Sequence, residues 1–249
     1  MTQYAMVIDL RKCVGCGACA LACKTENNTA LRSEEQAHNW ADFIYETEGK
    51  FPKTKFKAMP VLCNHCSDAP CVEACPVEPK AMYKTPEGIT MHNDERCIGC
   101  QACQDACPYS DTEVKVGQYS VISYNPEGKP YDPFYADTKE TIPGCTMSPA
   151  ELAAKTDNPP HRTRYKDPDY EDVRRSNIVE KCIFCRHRVV KGEQPYCVAS
   201  CPAGARIFGD KDDPKSEVAQ LLKKHKATVR KPEEGTSPNV YYIRDYSAR

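Results

Sequence analysis

The chain has 249 residues, enough for one or two domains, and 34 basic against 35 acidic side chains give it a net charge of −1. This balance argues against a nucleic-acid-binding protein, which would carry an excess of basic residues. No apolar run approaches the ~20 residues that a membrane-spanning helix requires, so the sequence predicts no direct membrane span.

Cysteine is the unusual component of the composition. Sixteen of the 17 cysteines fall into four groups of four, and the remaining one, Cys145, is interpreted as a non-ligating residue. The groups are Cys13, Cys16, Cys19 and Cys23; Cys63, Cys66, Cys71 and Cys75; Cys97, Cys100, Cys103 and Cys107; and Cys182, Cys185, Cys197 and Cys201. Because a cubane iron–sulfur cluster needs four thiolates, this count predicts four [4Fe-4S] clusters.

The first and third groups share the spacing C-x2-C-x2-C-x3-C. In bacterial two-cluster ferredoxins, three cysteines of such a run hold one cluster and the fourth reaches the other. Residues 12–19 and 96–103 are alike, which indicates a duplicated unit. A short helix is predicted at 18–24, and residues 25–60 are interpreted as a polar insertion.

The second and fourth groups have the spacings C-x2-C-x4-C-x3-C and C-x2-C-x11-C-x3-C, which differ only in the middle loop. Residues 70–76 and 195–202 are also alike. This second repeat supports the duplication that the first one indicates. Between the second and third groups, residues 81–84 and 89–91 predict a pair of strands joined by a turn. A short helix is predicted at 101–106.

The chain changes character after the third group and a predicted strand at 117–124. Residues 126–176 hold eight prolines and show no sustained periodicity. We interpret them as a surface insertion that contacts a partner subunit, with a poorly ordered loop as the alternative. Within them, Ser148 and Glu151 have the spacing of a capping box, which predicts a short helix.

The sequence after the fourth group predicts three further elements. These are a strand at 205–208, a helix that Asp213 caps and that ends near His225, and a strand or docked tail at 240–243. Mixed short helices and strands indicate an α+β fold.

Two other uses of cysteine and several neighbouring residues were weighed. Disulfides and four-cysteine zinc sites would use similar numbers, but the tight C-x2-C-x2-C spacing favours iron–sulfur clusters. His65, inside the second group, is expected to pack or to support a ligand. The basic residues beside the cysteines are each interpreted as part of a solvated surface. They are Lys12, Lys24, Arg96, Lys181, Arg186, His187 and Arg188.

Together, these motifs resemble the four-cluster electron-transfer subunit of the molybdopterin oxidoreductases, the dimethyl sulfoxide reductase superfamily. The resemblance rests on all sixteen cysteines and covers nearly the whole chain. It implies a tandem duplication of ferredoxin-like halves, each holding two [4Fe-4S] clusters, with long loop insertions. Residues 1–62 plus 177–249 would carry clusters 1 and 2, residues 63–125 would carry clusters 3 and 4, and residues 126–176 would form the insertion.

The resemblance also implies which cysteines hold each cluster. Cluster 1 would take Cys13, Cys16, Cys19 and Cys201; cluster 2, Cys23, Cys182, Cys185 and Cys197; cluster 3, Cys63, Cys66, Cys71 and Cys107; and cluster 4, Cys75, Cys97, Cys100 and Cys103. No catalytic residue is expected, because the implied role is to relay single electrons. For a reductase, electrons would arrive at cluster 4 and leave from cluster 1.

The partners implied are a large molybdopterin catalytic subunit and an external electron donor, either a quinol-linked cytochrome or a membrane anchor subunit. Segments such as 23–28 and 241–244 are most similar to the subunits that serve respiratory arsenate reductases. The alternatives are sister subunits for tetrathionate, thiosulfate, polysulfide or dimethyl sulfoxide, an arsenite oxidase subunit, or a free-standing polyferredoxin. The start of the chain lacks a signal-peptide pattern. We therefore expect a periplasmic protein, exported with a partner that carries a twin-arginine signal, with a cytoplasmic protein as the alternative.

Overall fold

The computed structural model describes residues 2–27, 29, 39–110, 119–125, 138–140, 142–155 and 177–246. In chain order the strands are β1 (Tyr4–Asp9), β2 (Ala41–Lys50), β3 (Lys53–Leu62), β4 (Met82–Lys84), β5 (Thr90–His92), β6 (Ser123–Asn125), β7 (Ile178–Glu180), β8 (Arg206–Asp210), β9 (Ala227–Thr228) and β10 (Val240–Ile243). The helices are α1 (Ala18–Asn27), α2 (Pro70–Glu73), α3 (Ala102–Asp105), α4 (Pro149–Ala154), α5 (Arg186–Val189), α6 (Tyr196–Ala199) and α7 (Glu217–Lys224), with a 3-10 turn at Pro232–Glu234.

The main sheet has the strand order β8-β1-β10-β9, with β1 antiparallel to β8 and parallel to β10. Residues 5–8 of β1 are fully buried, because Ala5 and Val7 pack toward α7 while Met6 and Ile8 face the main core. The sequence analysis did not predict this strand. It did predict a strand or docked tail at 240–243, and β10 is an inner strand of the sheet.

Two smaller strand pairs lie near the cysteine loops. β4 and β5 form the predicted pair, with Met82 opposite His92. β6 pairs with β7, which precedes the fourth cysteine group. The strand predicted at 117–124 is therefore shorter than expected within the described residues, since Val121 and Ile122 are buried in a bend before it.

The predicted polar insertion at 25–60 contains regular structure that was not predicted from the sequence. β2 and β3 form a hairpin with ten residues in each strand, paired from Ala41 opposite Leu62 to Lys50 opposite Lys53. The base of the hairpin is buried in the core, whereas Phe51 at its tip is 92% exposed.

The helix caps confirm one sequence prediction and correct another. At α4, the Glu151 N–H donates to Ser148 Oγ (3.2 Å) and the Ser148 N–H donates to Glu151 Oε2 (2.9 Å), as in a capping box. At α7, the cap is Ser216, whose Oγ accepts from the Ala219 N–H at 3.0 Å. Asp213 lies one turn earlier, where its carboxylate accepts from the Lys215 N–H, so the helix begins later than predicted.

One core joins the segments that the sequence analysis assigned to separate halves. Met6 and Phe208 belong to the same buried cluster as Leu62, Met82 and Ile122, together with cysteines from all four groups. Most of residues 126–176 lie outside the described residues, so their contact with a partner stays a prediction. No helix in the described ranges is long and apolar enough to cross a membrane.

Candidate metal centres

Three cavities are each lined by four cysteines, three from one group and one from another. Their cysteines are Cys13, Cys16, Cys19 and Cys201; Cys63, Cys66, Cys71 and Cys107; and Cys75, Cys97, Cys100 and Cys103. The structure thus brings together the sets that the sequence analysis named for clusters 1, 3 and 4. We call these spaces cavities 1, 3 and 4.

The remaining four cysteines also lie together, and all of them are buried. Burial raises the pKa of the Cys23 thiol well above its usual value, and the neighbouring thiols of Cys182, Cys185 and Cys197 raise it further. Asn27, one helical turn beyond Cys23, donates from Nδ2 to Cys23 Sγ (3.5 Å) and to Cys185 Sγ (3.8 Å). This set is the one named for cluster 2, and we call its location site 2.

A common local turn starts every group. The first cysteine accepts a hydrogen bond from the backbone N–H two residues later, at 3.5 Å for Cys63 and Cys97 and 3.4 Å for Cys182. Cys13 accepts the corresponding bond from Gly15. The four donors are Gly15, His65, Gly99 and Phe184, with φ values of 68°, 45°, 68° and 50°. A positive φ therefore turns each N–H toward sulfur, which is an arrangement that stabilises a thiolate.

The four donor positions of this turn are of two kinds: two are glycines, and two carry ring side chains. A Cβ on Gly99 would lie 2.1 Å from the Asn177 carbonyl oxygen, so no larger residue fits. His65 and Phe184 instead stack on each other, with ring centroids 3.6 Å apart. His65 Nδ1 also accepts from the Thr90 N–H at 3.1 Å. The packing role predicted for His65 is therefore confirmed.

The four sets form a row. Burial raises the pKa of Cys197, Cys182 and Cys71, and in each case a thiol of the next set adds to the increase. The neighbouring thiols are Cys19 for Cys197, Cys63 for Cys182 and Cys103 for Cys71. Cavity 1 is thus next to site 2, site 2 next to cavity 3, and cavity 3 next to cavity 4.

Solvent reaches the row at its two ends. Among the sixteen grouped cysteines, all within the described residues, only Cys16 and Cys100 are exposed. Cys16 belongs to cavity 1 and Cys100 to cavity 4, whereas site 2 is fully buried and cavity 3 has at most a half-buried thiol, Cys66. The exposed apolar side chains Val14 and Ile98 lie beside these two end cysteines.

Two of the basic residues near the cysteines, Lys181 and His187, are buried, which corrects their interpretation as solvated, whereas Lys12 and Arg96 are exposed. Lys181 is 1% exposed, and its ammonium donates to the carbonyl oxygens of Cys182 (2.7 Å) and Thr90. His187 is also buried, with Nε2 3.0 Å from Glu26 Oε1. Arg188 Nη1 donates to the same carboxylate oxygen at 3.2 Å.

Cavities 1 and 4 have the same construction. Each is lined by a cross-strand pair of one apolar and one basic residue: Ile8 opposite Arg206 in cavity 1, and Met82 opposite His92 in cavity 4. His92 Nδ1 lies 3.0 Å from Asp94 Oδ1. Although burial lowers the pKa of His92, its hydrogen bonds to Asp94 and Cys97 raise that pKa to about 9. Each cavity therefore has a buried cation on one strand.

The donor set fits iron–sulfur clusters. Burial raises the pKa of most of these thiols, and iron binding would offset this cost because a coordinating thiol is deprotonated. Within the described residues, no three His, Cys, Asp or Glu side chains converge closely enough to hold a single metal ion.

The sequence analysis missed two polar residues at these sites. The helix was predicted only over 18–24, whereas α1 continues to Asn27. Helical periodicity extended by one turn beyond Cys23 would have placed Asn27 beside that cysteine. Arg206 is the only charged residue in the predicted strand at 205–208. This isolated charge among apolar residues could have indicated a residue that faces the cysteine sites.

Two family models match the chain. The model described as "4Fe-4S dicluster domain" matches residues 54–122 and 159–211, and the model described as "4Fe-4S binding domain" matches residues 4–25. The chain is therefore an iron–sulfur protein built from repeated 4Fe-4S modules with mixed helix and strand content.

Curated relatives match over nearly the whole chain. It is 45% identical to the arsenate respiratory reductase iron–sulfur subunit ArrB of Shewanella sp. strain ANA-3, covering 99% of this chain and 98% of the relative. A putative dimethyl sulfoxide reductase iron–sulfur subunit of Halobacterium salinarum is 33% identical, with 98% and 79% covered. A tetrathionate reductase subunit of Salmonella typhimurium is 32% identical, with 97% and 72% covered. The chain belongs to the family of iron–sulfur electron-transfer subunits of molybdopterin oxidoreductase complexes, which confirms the resemblance and the non-catalytic role.

Proposed function

We propose that this chain relays single electrons through four [4Fe-4S] clusters, between an external donor and a large molybdopterin catalytic subunit. The main support is the row of four cysteine sets, in which only the end sets have an exposed cysteine. A buried middle protects the inner clusters from solvent, while an exposed end lets a partner approach. The sixteen cysteines act as the ligands, in the four sets already given.

The number of clusters follows from the four cysteine sets. Four cubanes contain about 16 iron and 16 sulfide ions per chain. Iron and acid-labile sulfide are to be measured on the complex purified anaerobically. Values near three-quarters of this amount would contradict four clusters without contradicting electron transfer. A colourless preparation that contains zinc would contradict both.

We propose that the fold arose by duplication of a ferredoxin-like half. The shared N–H···S turn in all four groups supports this, as do the equivalent cross-strand pairs at cavities 1 and 4. Clusters 1 and 2 use residues 1–62 and 177–249, and clusters 3 and 4 use residues 63–125. In this arrangement the halves share one core, so they are structural repeats and do not fold as separate bodies.

The catalytic subunit is proposed to dock at cavity 1, and the donor at cavity 4. Near cavity 1, Val14 is 58% and Leu21 is 68% exposed. Phe43 lines this cavity and begins a stack that continues through Tyr45 to Phe56 on the exposed hairpin, with ring centroids 5.9 and 5.6 Å apart. Such a patch suits a protein partner. Rapid-freeze spectroscopy tests the direction of electron flow, because the cluster nearer the donor is reduced first. Cys16→Ser and Cys100→Ser identify the signals of the two end clusters.

Arsenate is proposed as the terminal oxyanion, because the relative named for arsenate respiration shares 45% identity, against 33% and 32% for those named for dimethyl sulfoxide and tetrathionate. The purified complex should oxidise a reduced dye with arsenate. Tetrathionate, thiosulfate, polysulfide and dimethyl sulfoxide serve as competitors, and arsenite with an oxidised dye tests the reverse reaction. A chain that purifies alone, without molybdenum, would instead indicate a free-standing polyferredoxin.

A periplasmic location is proposed through co-export with a partner that carries a twin-arginine signal. The family supports this proposal, because its catalytic subunits are separate chains and one of them could carry the export signal. Cell fractionation should find this chain in the periplasm, and it should stay in the cytoplasm when the partner's two signal arginines are replaced by lysines. Equal amounts in the cytoplasm in both strains would contradict the proposal.

A further inference from the structure

The guanidinium of Arg206 lies deep in the protein without a carboxylate partner. Arg206 is 3% exposed, and no ion pair in the described part of the chain includes it. Arginine stays protonated in proteins, so it cannot escape the cost of burial by losing its charge. A buried charge without a partner of opposite sign is strongly destabilising. The fold must therefore supply an anion.

The contacts of Arg206 identify the anion. Its Nη1 lies 4.0 Å from Cys197 Sγ at site 2 and 3.8 Å from Met6 Sδ. The same side chain lines cavity 1 beside Cys13, Cys16, Cys19 and Cys201. Nη2 is buried and has no hydrogen-bond partner among the described residues. Arg206 is thus located between two sets of thiolates, with a free donor at a place where a sulfide-rich, negatively charged group would bind.

In the proposed duplication, the position that corresponds to Arg206 in the other half carries no charge. Arg206 on β8 pairs with Ile8, and Met82 on β4 occupies the equivalent position opposite His92. A methionine therefore fits in the other half of the protein. Of these two equivalent positions, only the one at cavity 1 carries an arginine.

We infer that Arg206 is a potential-setting residue, which raises the reduction potentials of clusters 1 and 2 by pairing with their negative charge. This inference rests on the proposed binding of clusters at these two sets. An added electron is stabilised by a nearby buried cation, because the low dielectric of the interior strengthens their attraction. The two clusters nearest the catalytic subunit then hold electrons more readily than they would without Arg206.

The test is a redox titration of the anaerobically purified complex, followed by electron paramagnetic resonance. Arg206→Met copies the equivalent residue Met82, and Arg206→Lys keeps the charge. Lys12→Met is the matched control, since Lys12 also lies beside cavity 1 but is exposed. Cys16→Ser and Cys185→Ser identify the signals of clusters 1 and 2.

At a fixed solution potential, Arg206→Met should lower the reduced-to-oxidised ratio of cluster 1 or 2 at least tenfold, which corresponds to about 59 mV for a one-electron couple. Arg206→Lys should retain most of the parent value, and Lys12→Met should change less because water and salt screen an exposed charge. The signals of clusters 3 and 4 should not move. Unchanged ratios in Arg206→Met at full iron content would overturn the inference, as would an equal shift in Lys12→Met.

Loss of iron is informative as well. If Arg206→Met loses the cluster 1 iron while Arg206→Lys keeps it, the charge holds the cluster and the inference stands. If both variants lose it, Arg206 acts through packing and the inference fails. Iron and sulfide in the unmodified complex separately test the number of clusters. A shortfall there contradicts the proposed number of four clusters while leaving the titration of any cluster at Cys13, Cys16, Cys19 and Cys201 interpretable.

Discussion

Replacing three loop glycines by alanine should release iron in a graded order. Gly17, Gly15 and Gly99 have φ values of 78°, 68° and 68°, so each alanine variant has a similar backbone strain of about 1–2 kcal/mol. Their surroundings differ. A Cβ on Gly17 meets nothing within 4 Å, one on Gly15 lies 2.8 Å from the Ala58 Cβ, and one on Gly99 lies 2.1 Å from the Asn177 carbonyl oxygen.

The clash sets the size of the effect. Overpacking typically adds about 1–3 kcal/mol, and each 1.4 kcal/mol is a factor of ten. If the clash is relieved when the cluster leaves, Gly99→Ala should lose iron roughly 5 to 150 times faster than Gly17→Ala. Gly15→Ala should fall between them, because its contact with the Ala58 Cβ, at 2.8 Å, is less close than the 2.1 Å contact at Gly99.

The assay follows the loss of visible absorbance of the complex under a chelator, without oxygen and at one temperature. A rate is the right observable, since loss of a bound cluster breaks two-state behaviour. Gly17→Ala is the matched control because it changes the same residue type at a positive φ without a clash. Equal release rates for Gly17→Ala and Gly99→Ala would refute the reasoning from the geometry of the turn.

Three further results are expected. Asn27→Ala removes the N–H donor to Cys23 and Cys185, so the cluster 2 potential should fall in a redox titration while the iron content is unchanged. Phe56→Asp places a charge on the exposed hairpin and should weaken association with the catalytic subunit at least tenfold in a pull-down titration; Ile98→Asp, at the opposite end, should leave that association unchanged. Removing all iron should abolish the fixed tertiary structure seen by near-ultraviolet circular dichroism, because cysteines from all four groups are part of the core.

The cysteine spacing predicted four groups of ligands, and the family resemblance implied how these groups combine into the sets that the structure brings together. Short spacings such as Cys13 to Cys19 fix local turns, and the family resemblance supplied the distant member, Cys201. The strand pair at 81–84 and 89–91 was also predictable, because a turn signal separates two short apolar runs. These features depend on neighbours in sequence.

The features that were missed depend on distant contacts. Strand β1 is buried on both faces, so its side chains do not alternate between polar and apolar. The two-residue periodicity that would have predicted a strand was therefore absent from the sequence. The hairpin of β2 and β3 has an exposed tip, and its charged residues concealed the pairing. Lys181 was interpreted as solvated because lysine is rarely buried. Only the fold brings the Thr90 and Cys182 carbonyl oxygens to its ammonium.

The pairing of β1 with β10 has a consequence for biosynthesis. Strand β1 cannot pair with β10 until Val240–Ile243 have been synthesised, and Cys13 likewise cannot meet Cys201 until that residue has been made. Cavities 3 and 4 draw all their cysteines from residues 63–107. All eight of these cysteines are therefore synthesised before Cys201, so the cysteine sets of cavities 3 and 4 are complete earlier in synthesis than that of cavity 1.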